Sequence, residues 1–246
     1  MDTLSVLKNR KSIRNFTGES ISRETVNQIV EAAQQASTSI NAQQTSIVII
    51  ENKETIQKIA EITGGQPQVA AADKFIAVVV DFNRTNEAFK LVGKEQVVHT
   101  TLEGLLVGAV DAGIMVEALQ VAATALGVGT TVIGGIRNQP QAMIDLLGLP
   151  EKTFPIVGLT LGVIDTTKEP QVKPRVPVDS FAFYEKYDTQ KVAEGVATYD
   201  KTLRQWWDVQ NMTQMPAYID AVTGFYSKPY YVDVKPTAIK QGFELL

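Results

Sequence analysis

Apolar positions in the first fifty residues change period in a way that separates helix from strand. Val26, Ile29, Val30 and Ala33 recur at i, i+3, i+4 and i+7, the stripe of an amphipathic helix; Ser22 is placed to cap it and Glu24 falls in its first turn. A shorter helix precedes it, capped by Asp2 or Thr3 and carrying Leu4 and Leu7. Ser46-Ile47-Val48-Ile49-Ile50 is continuously apolar after its serine and reads as a buried strand. A helix with Ile56, Ile59 and Ala60 inward follows and stops at Gly64-Gly65. Phe75 to Val80, Thr130 to Ile136 and Phe154 to Val163 supply further strand-length runs, with a short helix around Ala142 to Leu147. Helices and strands alternate, which predicts an α+β fold in α/β-type layers around a covered central sheet.

Leu102 to Leu126 is long enough to span a bilayer, yet it contains Glu103, Asp111 and Glu117. Each carboxylate costs about 2.5 kcal/mol or more near a bilayer centre, so a membrane span is not expected. A helix apolar nearly all round is expected to be buried on all sides, and in a chain of 246 residues part of that wall would be another subunit.

The pattern changes after Gly162. Residues 165 to 180 carry Pro170, Pro174 and Pro177 and favour an extended path. Val192, Val196, Tyr199, Leu203 and Trp206 then form a helical stripe, and residues 212 to 246 hold aromatics with weak periodicity, as in a tail that wraps over something. We therefore divide the chain into a core at 1–164 and an extension at 165–246 that completes the same domain.

Composition narrows the chemistry. A net charge of −4 argues against general nucleic-acid binding. There is no cysteine, and His99 is the only histidine, so thiolate catalysis, a multi-histidine metal site and a serine–histidine triad are not expected, and no metal is assigned. The N-terminal residues lack the order of a signal peptide, and the expected setting is cytoplasmic.

Against that acidic balance, Arg10-Lys11-Ser12-Ile13-Arg14-Asn15-Phe16 places three cations within five residues. A solvated basic turn and an anion site are both open readings of it. Lys173-Pro174-Arg175 repeats the pattern, and an arginine with a lysine suits a phosphate. Gly127-Val128-Gly129 is not a dinucleotide fingerprint, because Val132 stands at its sixth position and a helix precedes it. Val132-Ile133-Gly134-Gly135 ends a strand in paired glycines, which lets a flat ligand approach the backbone or simply makes a turn. Ser37 to Gln43 is a dense run of neutral donors; such a run is usually only a loop, and a ligand contact is the other reading.

Together these stretches resemble the nitroreductase family, in its NAD(P)H:flavin oxidoreductase and oxygen-insensitive major nitroreductase branch. Arg10 to Phe16, Ser37 to Gln43, Thr63-Gly64-Gly65-Gln66, Ile133 to Asn138 and Lys173 to Pro177 match its motifs in order. The resemblance implies an intertwined homodimer with a central mixed sheet flanked by helices. It also implies a tightly bound, non-covalent FMN at the subunit interface. Arg10, Ser12, Lys173 and Arg175 would hold the FMN phosphate, with Lys11, Ile13 and Pro174 beside them and Arg14 near the pyrimidine edge. Val132, Ile133, Gly134 and Gly135 would lie along the ring near N5, with Gln66 adjacent. Thr38, Ser39, Asn41 and Gln43 would come from the partner subunit. NADH or NADPH would give hydride to FMN, and free flavin, a quinone or a nitroaromatic would take it in a ping-pong cycle. The alternative is a non-catalytic flavin-binding or storage protein on the same fold. Relatives preferring NADPH carry arginines in the C-terminal third, whereas this chain has none after Arg204.

Overall fold

A computed structural model describes residues 2–246. In chain order the elements are α1 (Thr3–Lys8), α2 (Arg23–Ala33), β1 (Thr45–Ile50), α3 (Lys53–Ile62), α4 (Pro67–Ala70), β2 (Lys74–Asp81), α5 (Phe82–Leu91) and α6 (Leu102–Ala125). They continue with β3 (Val128–Ile133), α7 (Pro140–Leu147), β4 (Thr153–Val163), α8 (Thr189–Val209), α9 (Tyr218–Tyr226) and α10 (Val234–Lys240). The caps are the expected ones: the Asp2 carboxylate accepts from Ser5 N–H and the Ser22 hydroxyl from Thr25 N–H. The third strand is shorter than the apolar run: it ends at Ile133, and Gly134–Arg137 forms a 3₁₀ turn.

The chain forms two compact units, one of residues 1–170 and 231–246, the other of residues 171–230. The first is built on a four-stranded sheet in the order β1-β2-β4-β3. Every pairing among the described residues is antiparallel, which corrects the expected mixed sheet within a single chain. The continuously apolar strand β2 lies in the middle and is buried almost throughout, whereas the edge strand β1 is only half-buried, against the expectation of full burial.

Helix α6 packs on the sheet and on α2 through Ala112, Leu119 and Ala123, which are fully buried. It is long and apolar enough to cross a membrane, but its buried polar residues Asp111 and Gln120 are bonded inside the protein. It is not buried on all sides. Leu102, Leu106, Val110 and Ile114 form an exposed i±4n ridge along it. The C-terminal end of the chain belongs to this unit: Phe243 is fully buried edge-on to Phe82 and Phe154.

In the second unit α8 buries Gly195, Tyr199, Leu203 and Trp207, with Trp206 packed at the margin. The inward stripe thus follows Trp207 rather than Trp206, and Gly195 rather than Val196. Gly195 is in the stripe because Ser180 lies where a Cβ would stand.

His99 has a structural place. It is buried beside Gln96, and burial, assisted by the Lys152 charge, holds its pKa below the ordinary histidine value of 6.5. The unfolded chain therefore takes up a proton on acidification before the folded protein does. Stability should be fully present above about pH 6.5 and fall as pH drops toward the lowered folded value. Thermal unfolding from pH 8 to 5 should show this loss, and His99→Gln should reduce it. A decline of equal size in the variant would assign the effect to other groups.

Candidate active site

The basic segment is bound to the sheet as an extra edge. Ile13 N–H donates to the Thr130 carbonyl at 2.8 Å, the Thr131 hydroxyl donates to the Ile13 carbonyl, and Phe16 bridges Ile164. In extended backbone alternate side chains face opposite ways. Ile13 is buried against Gly129, while Ser12 is half-buried and Arg14 exposed. Ile13 thus ties the basic segment to β3, and Phe16 ties its far end to the end of β4.

One cation of the cluster is paired within the chain. Lys11 Nζ lies 3.0 Å from Glu169. Arg10 and Arg14 have no carboxylate within ion-pair distance among the described residues. Two arginines held by an ordered backbone without a counter-ion leave a positive field directed outward, the requirement for a phosphate.

The paired glycines at the end of the same strand differ. A Cβ on Gly135 would come within 2.7 Å of Gln66 Nε2 and the Thr63 carbonyl oxygen, so this glycine admits the α3–α4 turn. Gly134 is less crowded: a Cβ there would be in ordinary contact with Arg137 Nη2 and the Tyr231 hydroxyl, each at 3.6 Å. A planar ligand can approach the backbone at Gly134. Gln66 is held by bonds to Thr63 and Gln68, Val132 is partly exposed and Ile133 is buried beneath.

Ser37 to Gln43 is strained. Ile40, Asn41 and Gln43 have φ of 48°, 55° and 52°. Such left-handed residues cost about 1–3 kcal/mol each when they are not glycine, and a β-branched isoleucine is among the least suited. Hydrophobic burial does not explain Ile40, which is 94% exposed. Local bonds hold the turn: Asn41 N–H to the Thr38 carbonyl, Ala42 N–H to the Ser39 carbonyl and Gln43 N–H to the Thr38 hydroxyl. A fourth bond ties it to α6, from Ser39 N–H to Asp111 Oδ2 at 3.1 Å.

Along β3 the structure places Arg10 to Arg14 beside Val128 to Thr131, and Val132 to Gly135 follow towards its far end, where Gln66 packs against Gly135. It does not bring Thr38, Ser39, Asn41 and Gln43 there. Their loop enters β1, the opposite edge of the sheet, and three strand spacings, roughly 14 Å, lie between those edges. Lys173, Pro174 and Arg175 lie in the second unit, where Lys173 stands 4.6 Å over the Trp207 ring and the Pro174 carbonyl accepts from the Tyr199 hydroxyl. Sequence reasoning missed Glu169 and Asp111 as partners of site residues, and Arg137, whose guanidinium bonds the Ile156 carbonyl and faces the Tyr231 ring.

A recess of about 60 Å³ lies beside Arg10, Lys11 and Thr130, and one of about 70 Å³ lies beside Thr38, Gln43 and Thr45. Ligand pockets run to ~300–1,000 Å³, so neither recess encloses a flavin-sized molecule.

Comparison with known proteins gives the family. The Nitroreductase family model matches residues 7–163, and the model of the family's C-terminal domain matches residues 173–246. The FMN reductase [NAD(P)H] of Bacillus subtilis (strain 168) is 34% identical over 247 residues, covering 99% of this chain and 98% of that protein. The structure of B. megaterium NfrA2 superposes with a TM-score of 0.95 at 35% identity, with all of both chains covered. The NADPH:FMN oxidoreductase from Vibrio harveyi, solved in complex with NAD+, gives a TM-score of 0.87 at 29% identity over 98% of each chain. The two family models together span residues 7–163 and 173–246, and with similarity over the whole length they show that this chain belongs to the nitroreductase family.

Proposed function

We propose that this protein is an FMN-dependent NAD(P)H reductase acting on small-molecule acceptors such as free flavin, quinones and nitroaromatics. The observation that carries the reading is the pair of arginines, Arg10 and Arg14, which have no carboxylate partner among the described residues and are fixed beside a strand followed by the uncrowded Gly134. That arrangement fits an anionic, planar cofactor. Arg10 and Ser12 would hold its phosphate, and Arg14 would face the ring edge that gains negative charge. Gly134 would admit the ring, with Gln66 beside it. Lys173-Pro174-Arg175 carries the same charge chemistry and is proposed as a further phosphate contact. Bound FMN would supply the two-electron chemistry, accepting hydride and passing it on. The side chains bind, orient and exclude water, so no acid–base pair is required of them.

We also propose that the working form is a homodimer, with Thr38, Ser39, Asn41 and Gln43 completing the partner's site. Three features support this: the loop lies at the sheet edge away from Gly134, the two recesses are too small for a flavin, and α6 exposes an apolar ridge. A cytoplasmic setting, where reduced nicotinamides are available, completes the reading.

Steady-state kinetics test the function. The purified protein should carry one FMN per chain, and double-reciprocal plots with either nicotinamide and a flavin or quinone acceptor should give the parallel lines of a ping-pong cycle. Flavin binding without turnover would instead favour a storage protein. Discrimination between nicotinamides should be weak, or favour NADH. Reading a 2′-phosphate needs nearby cations, Lys228, Lys235 and Lys240 are the only ones after Arg204, and Arg204 is itself held by Asp208. A hundredfold advantage in kcat/KM for NADPH would contradict this.

A further inference from the structure

Asp111 is an ionisable group buried in the middle of an apolar helix, and nothing in the proposed chemistry uses it. It is 3% exposed, and among the described residues it has no basic partner within ion-pair distance. A buried carboxylate is costly unless its hydrogen bonds are strong, so one kept at this position must have firm partners. It has two, and both belong to the segment leading into β1: Ser39 N–H and the Gln44 side-chain amide donate to the same oxygen, Oδ2. Gln44 is itself buried and, among the described residues, its own Oε1 has no partner, so Asp111 supplies the side-chain bond that orients this amide.

The two donors bracket the strained turn. Ser39 precedes the left-handed Ile40 and Asn41, and Gln44 follows the left-handed Gln43. The turn's own bonds close it locally and the Gln44 carbonyl accepts from Asp81 N–H in β2, while the bonds to Asp111 tie the turn to α6. Asp111 also sits next to Val110, in the exposed ridge of α6, so one helix carries both the anchor for the loop and the face proposed to meet a second copy.

We infer that Asp111 is a positioning residue: its carboxylate clamps the Ser37–Gln43 loop in its left-handed form so that Thr38, Ser39, Asn41 and Gln43 are already arranged when FMN binds. The inference rests on the flavin-site reading above. Pre-arranged donors spare the ordering cost that a loose loop would otherwise impose at the moment of binding. The clamp involves no contact between Asp111 and the cofactor.

The test uses the full-length protein as apoprotein and after reconstitution with FMN. Asp111→Ala should speed hydrogen exchange at Ser39 N–H in the apoprotein. It should also weaken FMN binding about ten- to hundredfold and alter the visible circular dichroism of the flavin at saturation. Asp111→Asn should stay within about threefold of wild type, because one amide oxygen can accept both bonds though without the charge. If Asp111→Ala does not fold, Ser39→Pro and Ser39→Ala make the same comparison from the loop side. Both remove the hydroxyl, only proline removes the N–H, and Thr38 already has the extended backbone (φ −132°, ψ 154°) that a following proline requires. Proline should then bind FMN about tenfold more weakly than alanine. Unchanged Ser39 exchange and unchanged flavin dichroism in Asp111→Ala, or equal affinities for the two Ser39 variants, would overturn the inference. A wild-type protein that takes up no FMN would overturn the functional reading itself, whereas changed Ser39 exchange can be read without any flavin.

Discussion

Arg10→Ala should fold normally and purify with little flavin, its FMN affinity lowered about ten- to hundredfold, because a hydrogen bond to a charged group is worth ~1.5–3 kcal/mol net. The neighbouring cation should behave differently. Lys11 is already paired with Glu169, and its removal takes away a compensated charge. The same pair predicts a change in the opposite direction. Glu169→Gln frees Lys11 and removes a negative charge close to the phosphate grip, so FMN should bind more tightly, by a few-fold at low salt. The size is modest because both groups are partly exposed, where such pairs are worth about 0.2–1 kcal/mol, and added salt should erase it. Fluorescence titration of the apoproteins with FMN measures all three. Undiminished affinity in Arg10→Ala would remove Arg10 from the phosphate site. Weaker binding in Glu169→Gln would mean that Glu169 supports the site rather than moderating it.

These contrasts show what the sequence could and could not reveal. Local features were legible because their causes are local. The stripe of Val26, Ile29 and Ala33, the cap at Ser22 and the central strand from Phe75 to Val80 follow from period and propensity, and all appear in the structure. The basic segment and the glycine pair were legible as chemistry, although only the structure separates Gly134, where a Cβ would fit, from Gly135, where Thr63 and Gln66 leave no room for one. The partners of the charged groups were not legible. Lys11 with Glu169 and Ser39 with Asp111 are joined by tertiary folding across long stretches of chain, and no spacing rule links them. The strained loop was hidden for another reason. Left-handed backbone is usually announced by glycine, whereas here it falls on Ile40, Asn41 and Gln43. The shift from Trp206 to Trp207 on α8 is a smaller case: two adjacent tryptophans both continue a helical stripe, and packing around Tyr199 and Leu203 selects the second.

Leu106→Asp should convert the protein to a folded monomer that has lost its FMN. Leu106 lies in the exposed ridge of α6, one turn from Leu102 on one side and Val110 on the other, and its side chain makes no part of the chain's own core. The substitution should therefore leave the monomer fold intact by far-ultraviolet circular dichroism. An i±4n ridge of this kind interdigitates with a second helix, and a two-fold dimer would bury it from both sides. An uncompensated charge buried there costs about 3–5 kcal/mol, roughly a hundred- to several-thousand-fold in the dimer dissociation constant, and two-fold symmetry places two such charges in each dimer. Loss of flavin should follow loss of the dimer, since each site would then lack the loop of Thr38, Ser39, Asn41 and Gln43 and leave the ring on an open strand edge. Sedimentation velocity with detection at the flavin absorbance follows mass and cofactor together. A monomer still carrying flavin would show that one chain completes its own site, and a flavin-loaded dimer would move the interface off α6.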